Sequence, residues 1–173
     1  MTLSKYSLKI AQPKNIAWIM HSIDLCRPIL AAQKSDQWQG KEPSLMTIKD
    51  DVKNHRYHLF LNDQTFIGGA ALLSKDDAYD HLLSGSWLNQ EPYIVIHRFF
   101  IHPEFQGKKL GKLFLSAIEA KVWGQGIRNV RVDTHEKNLP MRGLLISLGY
   151  LEVGRVNLPL AGERLVYHKV RGK

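Results

Sequence analysis

The sequence predicts an α/β (α+β) chain forming one domain, and three observations carry that prediction. From Tyr93 to Ile101 the residues are β-branched or aromatic, interrupted only by His97 and Arg98, as in a strand covered on both faces. Behind it Leu110, Leu113, Phe114, Ala117, Ile118 and Val122 recur at three- and four-residue steps, the spacing of one buried helix face. Ahead of it two apolar runs, 57–61 and 65–73, flank Asn62-Asp63-Gln64 as a hairpin. With 173 residues, 44% hydrophobic and 23% charged, the chain suits a single domain, 1–173, and is too short for two full ones.

The remaining elements follow in order. Tyr6 to Ile10 alternates as a first strand, and Gln12-Pro13 opens a helical stretch through Ile16, Ile19, Met20 and Ile23 that Arg27-Pro28 is expected to disrupt. Residues 33–43 are polar around an isolated Trp38, and 44–54 form a short helix capped by Ser44 or Thr47. Gly68-Gly69 inside a strand signals a bulge or a close backbone approach. Residues 74–92, polar and turn-rich apart from Trp87, read as a long loop. A strand over 129–135 presents Val130 and Val132 on one face and Arg131, Asp133 and His135 on the other. A helix over 139–148 closes at Gly149, and strands over 150–156 and 163–170 end the chain.

The junction Gln106-Gly107-Lys108-Lys109-Leu110-Gly111-Lys112 needs explanation. Lysines in the first turn of a helix face the positive end of its dipole, at a cost of roughly 0.3–1 kcal/mol each. A bound anion would offset that cost, because free backbone N–H groups, two glycines and the lysines would converge on it; a solvated basic turn is the plainer reading. The spacing excludes a P-loop, since Gly107 and Gly111 enclose three residues and Lys112 precedes Leu113. The Gly-x-Gly-x-x-Gly dinucleotide fingerprint is absent as well.

The junction resembles the acyl-CoA pyrophosphate loop of the GNAT superfamily of N-acetyltransferases, Gln/Arg-x-x-Gly-x-Gly/Ala between a strand and a helix. Gln106 and Gly111 fit its ends, and Lys109 stands at the middle glycine. Downstream, RNVRVDTHEKN followed by LPMRGLLISLGY is similar to the family's asparagine-bearing helix that closes in Leu-Gly-Phe/Tyr. The resemblance implies a GNAT fold: a mixed, mostly antiparallel sheet of about six or seven strands, flanked by about four helices and splayed between its central strands. It implies acetyl-CoA as co-substrate, the backbone of Phe99, Phe100 and Ile101 pairing with its pantetheine arm. Gln106, Gly107, Lys108, Lys109, Leu110, Gly111 and Lys112 would hold its pyrophosphate. Asn138 is either the family's cofactor-contacting asparagine or only a helix cap. Trp38 either walls the acceptor site or closes the edge of the core.

The implied reaction is direct transfer of an acetyl group to a primary amine of a small molecule or protein. The amine must be neutral to attack, so a base is wanted. His97, where many members carry glutamate, is the first candidate, against a core histidine satisfied by a carbonyl. Asp133 is the second, against a salt bridge to Arg131 or to a neighbouring strand, and His135 shares its face. Leu145 stands where many relatives place a tyrosine that protonates the leaving thiolate, which leaves Tyr167 or water for that task.

Cys26 is the only cysteine, so no internal disulfide can form and a cytoplasmic setting is expected. No segment reads as a signal peptide or membrane span, and no metal site is expected. The charge of +8 admits polyanionic partners. Without a basic tract interleaved with aromatics, a nucleic-acid-binding protein is the minor alternative, beside a CoA-binding module without turnover. The acceptor is not legible, and a homodimer would be in keeping with the resemblance.

Overall fold

The computed structural model describes residues 5–172. In chain order the elements are β1 (Tyr6–Ile10), α1 (Ile16–Ala32), α2 (Leu45–Lys53), β2 (Tyr57–Asn62), β3 (Thr65–Leu73), β4 (Leu82–Gly85), β5 (Tyr93–Ile101), α3 (Leu110–Gly124), β6 (Asn129–Thr134), α4 (Leu139–Ser147), β7 (Leu151–Leu158) and β8 (Gly162–Val170). The expected class and the four helices are present. The sheet has eight strands where six or seven were expected, in the order β1-β2-β3-β5-β6-β8-β7-β4. Only β5 and β6 pair in parallel; the other neighbours are antiparallel.

The extra strand is β4, from the stretch read as a loop. It pairs with the outer side of β7, and Leu83 faces solvent. So short and exposed an element leaves no alternation to read. The stretch is anchored by Tyr79 and Trp87, both buried, with the indole Nε1 donating to the Tyr79 carbonyl at 2.8 Å. Pro28 also departs from expectation, because α1 runs through it to Ala32. Pro28 lies on the exposed face, where water can satisfy the carbonyl that its missing N–H leaves free.

Helices α3 and α4 cover one face of the sheet, Phe114, Leu115, Ile118 and Leu145 packing on Phe60, Ile96, Val132 and Tyr167. Helices α1 and α2 cover part of the other, Ile19, Ile23, Ile48 and Val52 meeting Tyr57, Leu59 and Phe100. Ser44 caps α2 as expected, its hydroxyl accepting from the Thr47 N–H at 3.1 Å. No helix among the described residues is long and apolar enough to cross a membrane.

Two irregularities shape the centre of the sheet. Parallel pairing of β5 with β6 runs only from Tyr93/Asn129 to Ile96/Val132, so the strands part beyond His97 and Asp133. Between the pairs Ala71/His97 and Gly69/Phe100, β3 spends one residue and β5 spends two, a bulge at Arg98 and Phe99 with Arg98 at φ 52°. The bulge resets the side-chain alternation. Ile94 and Ile96 share a face with Phe99 and Ile101, while His97 turns to the opposite one. The expectation at Gly68-Gly69 holds in both forms: β3 carries one extra residue, Ile67, against β2 next to Gly68, and a Cβ on Gly68 would lie 2.4 Å from the Phe100 carbonyl oxygen.

Because backbone would have to move to admit that methyl, Gly68→Ala should destabilise the protein by about 1–3 kcal/mol in urea unfolding. A stability equal to that of the parent would show that β3 and β5 are not held this close.

Candidate active site

The parting of β5 and β6 opens the sheet, and two cavities meet at the opening. One, of about 800 Å³, runs between α1, the end of β5, the start of α3 and α4. Its lining includes Phe99, Phe100, Ile101, Gln106, Gly107, Lys109, Leu110, Gly111, Lys112 and Asn138, so ten of the eleven residues expected to hold the co-substrate come together there. Lys108 does not; its ammonium turns back to the Glu104 carbonyl at 2.9 Å and lies 5.5 Å from the Phe105 ring centroid. The lining contains no carboxylate, and its charges are Lys109 and Lys112.

The junction itself is now explicable. Lys109 caps α3 in the left-handed conformation, φ 61°, which glycine adopts without strain. Lys109 therefore makes, at some conformational cost, a turn that glycine would make freely. Gln106 braces the turn by donating Nε2 to the Ile101 carbonyl at 2.9 Å. Gly111 faces α4, where an added Cβ would lie 3.1 Å from a Leu144 methyl.

The second cavity, of about 670 Å³, lies between the loop 36–43, the segment after β3 and the β7–β8 turn. Its walls carry Asp36, Glu42, Asp76, Asp77 and Asp133, against Lys75, Arg98 and Arg164. His97 and Asp133, the two candidates for catalysis, both line it, but not as isolated groups. His97 sits between two carboxylates, Nε2 at 2.7 Å from Asp76 Oδ2 and Nδ1 at 3.3 Å from Asp133 Oδ1. Tyr79 donates its hydroxyl to the same Asp133 oxygen at 2.7 Å. Burial disfavours the imidazolium, and Arg98 opposes it too, yet the bonds to Asp133 and Asp76 outweigh both and raise the His97 pKa to about 9. The same bond lowers the Asp76 pKa against its burial. Burial, then the charge of Asp133, pushes the Tyr79 phenol well above its ordinary value, so it remains a donor.

Other expectations resolve differently. Asp133 does not pair with Arg131, whose guanidinium is stacked between Trp87 and Tyr93 and donates to the Asn89 carbonyl at 2.8 Å. His135 lies just beyond β6, 3.4 Å from Asp36, and lines neither cavity. Tyr167 lines neither cavity either; its hydroxyl donates to Glu152 at 2.8 Å and accepts from Arg142 at 3.1 Å. Leu145 is fully buried in the core. Asn138 caps α4, its Oδ1 accepting from the Met141 N–H at 3.3 Å, and it also lines both cavities. Trp38 packs on the α1/α2 core and lines both as well.

Two site residues had no readable signal. Asp76 stands in a run of polar residues whose spacing matches no motif, and only the fold brings it to His97. Gln37 lies in the polar 33–43 segment and docks on the far side of the sheet, its Oε1 within hydrogen-bond reach of Thr134 Oγ1, the His135 N–H and Asn138 Nδ2.

A sheet parted at its one parallel pair, with a glycine-lysine turn at the mouth of a largely apolar cleft, is the architecture of an acetyltransferase family. The chain belongs to the GNAT family of acetyltransferases: the acetyltransferase (GNAT) family model matches residues 23–150. A GNAT-family acetyltransferase structure from Streptococcus agalactiae is 33% identical, covers 97% of this chain and 96% of its own, and superposes with a TM-score of 0.88. A GNAT-family acetyltransferase from Listeria monocytogenes shares the fold at 18% identity, with 95% and 94% covered and a TM-score of 0.72. The aminoglycoside acetyltransferase AAC(6')-Ib in complex with coenzyme A shares it at 15% identity, with 96% and 95% covered and a TM-score of 0.72. A search of curated protein sequences finds no match.

The cluster around His97 makes a direct prediction. A nuclear magnetic resonance titration of its imidazole should give a midpoint near 9, and Asp76→Asn should move it down toward the ordinary 6.5. Because the folded value is the higher one, the stabilisation this histidine contributes is complete below about pH 6.5 and is lost as pH rises through 9. The stability gap between the parent and His97→Gln should close over that interval. A midpoint near 6.5 in the parent would contradict the two-carboxylate geometry.

Proposed function

We propose that the protein is an N-acetyltransferase that moves the acetyl group of acetyl-CoA directly to a primary amine of a small molecule or protein, through a ternary complex. One observation carries the reading: two cavities of opposite character meet at the opening between β5 and β6, sharing Gln37, Trp38, Phe99, Asn138 and Met141. The carboxylate-free cavity suits the anionic, partly apolar co-substrate, and the acidic one suits a cationic amine.

The residues present fit coenzyme A. The edge of β5 from His97 to Ile101 has no strand beside it on the β6 side, and so offers backbone hydrogen bonds to an extended pantetheine arm. The turn from Gly107 to Lys112 offers backbone N–H groups and two ammonium groups to the pyrophosphate. When bound, acetyl-CoA supplies a thioester whose acyl carbon an amine can attack. The protein's share is to hold that carbon at the meeting of the cavities and to take the proton the amine gives up.

That proton goes to the Asp76–His97–Asp133 cluster, which titrates as a unit. A base with a pKa near 9 is mostly protonated at neutral pH, but it is well matched to an alkylammonium near 10 when it is not. Asp76 and Asp133 then stabilise the imidazolium as it forms. No side chain is assigned to protonate the thiolate. The alternative of a CoA-binding module without turnover draws on Lys109 at the middle glycine position and Leu145 at the tyrosine position; against it, Lys109 takes the left-handed conformation that glycine adopts without strain.

The test is release of free thiol from acetyl-CoA across a panel of primary amines and pH values. The expected result is amine-dependent release whose kcat/KM rises with pH to a plateau above about 9, with Asp76→Asn moving the rise to lower pH. Binding of acetyl-CoA with no amine-dependent release would leave the module without turnover.

A further inference from the structure

The hydrogen bonds around Asn138 fix the orientation of a second amide, and with it two donors at the meeting of the cavities. Asn138 Oδ1 accepts from the Met141 N–H at the start of α4, so the Nδ2 of Asn138 must face the other way. Facing it at 3.2 Å is Gln37 Oε1, toward which the Thr134 hydroxyl (3.2 Å) and the backbone N–H of His135 (3.4 Å) also point. Two of these three are obligatory donors, so the atom of Gln37 that faces them is the carbonyl oxygen rather than the amide nitrogen. The Nε2 of Gln37 then has no acceptor among the described residues, while the side chain lines both cavities. Its plane is set by three bonds to the oxygen, so its two N–H groups are held in one direction before any ligand arrives.

Of the five residues shared by the cavities, Phe99 and Met141 carry no side-chain donor, and Asn138 gives one of its two N–H groups to Gln37. The second N–H of Asn138 and the Trp38 indole N–H are the alternatives. We infer that Gln37 is a catalytic residue whose Nε2 donates to the acyl oxygen of the thioester, and more strongly to that oxygen as it becomes an oxyanion. This rests on the acetyl-transfer reading. As the amine lone pair forms the new C–N bond, the carbonyl π pair moves onto oxygen. It returns when the C–S bond breaks and sulfur leaves as thiolate, and the proton lost by nitrogen goes to the His97 cluster. A fixed donor aimed at the developing charge lowers this barrier, because it needs no reorganisation when the charge appears.

Gln37→Glu separates a donor from a structural latch, because a carboxylate can still accept all three bonds but has no hydrogen to donate. Gln37→Glu is expected to lose about 10²–10³-fold in kcat, with acetyl-CoA affinity by calorimetry and melting temperature close to those of the parent. The second readout needs no turnover. In isotope-edited infrared spectra of bound [1-¹³C]acetyl-CoA, the thioester carbonyl band should be shifted to lower frequency in the parent and should return toward its solution position in Gln37→Glu. A Gln37→Glu protein with parental kcat, or an unchanged carbonyl band, overturns the assignment; loss in Trp38→Phe with retention in Gln37→Glu transfers the role to Trp38. A parent that binds acetyl-CoA but acetylates no amine defeats the acetyl-transfer reading instead, and the infrared shift still decides where Gln37 points.

Discussion

Everything at this site depends on the ending of one strand pair. β5 and β6 are hydrogen-bonded for four residue pairs and then part, which is costly in a protein interior because backbone donors and acceptors lose their partners. The opening is held by specific contacts. Arg98, in the bulge of β5, is anchored under α2 by Asp51 at 2.7 Å, and Arg56 holds the other oxygen of Asp51 at 3.1 Å. Burial raises the pKa of Asp51, and two guanidinium groups oppose that rise. His97 then spans the gap itself, one ring nitrogen toward each of two carboxylates.

The same bulge sorts side chains between the two functions. Without it His97, Phe99 and Ile101 would share one face by strict alternation; with it, His97 faces the acidic cavity while Phe99 and Ile101 pack under α3 and α4. Charge is divided in the same way. The chain carries +8, yet carboxylates cluster in one cavity and only lysines enter the other. That division gives the proposed cationic amine and polyanionic co-substrate separate cavities rather than one shared surface.

Much of this was legible in the sequence because it was written in local pattern. The periodicity of β5 and α3, the capping of α2 by Ser44 and the end of α4 at Gly149 depend on residues a few positions apart. The glycine-lysine turn was legible for the same reason, and ten of the eleven residues expected to hold the co-substrate line one cavity. What escaped is nonlocal. β4 is too short and exposed to show a period, and its place is set by pairing with β7. Asp76 and Gln37 sit in polar loops and matter only because the fold carries them to His97 and Asn138. The unexpected course of α1 through Pro28 depends on which face of the helix meets water, and the sequence pattern alone did not decide that.

The measurement that bears most directly on the account is a calorimetric titration of the protein with acetyl-CoA, beside the Gly111→Glu variant. The account predicts binding near one per chain in the parent and its loss in the variant, whose added carboxylate would enter a wall that carries lysines and no carboxylate, with folding largely retained because the nearest obstruction is a flexible Leu144 methyl. Absence of binding to the parent, or equal affinity in the variant, would contradict the claim that the parted strands and the turn beside them form an acyl-CoA site.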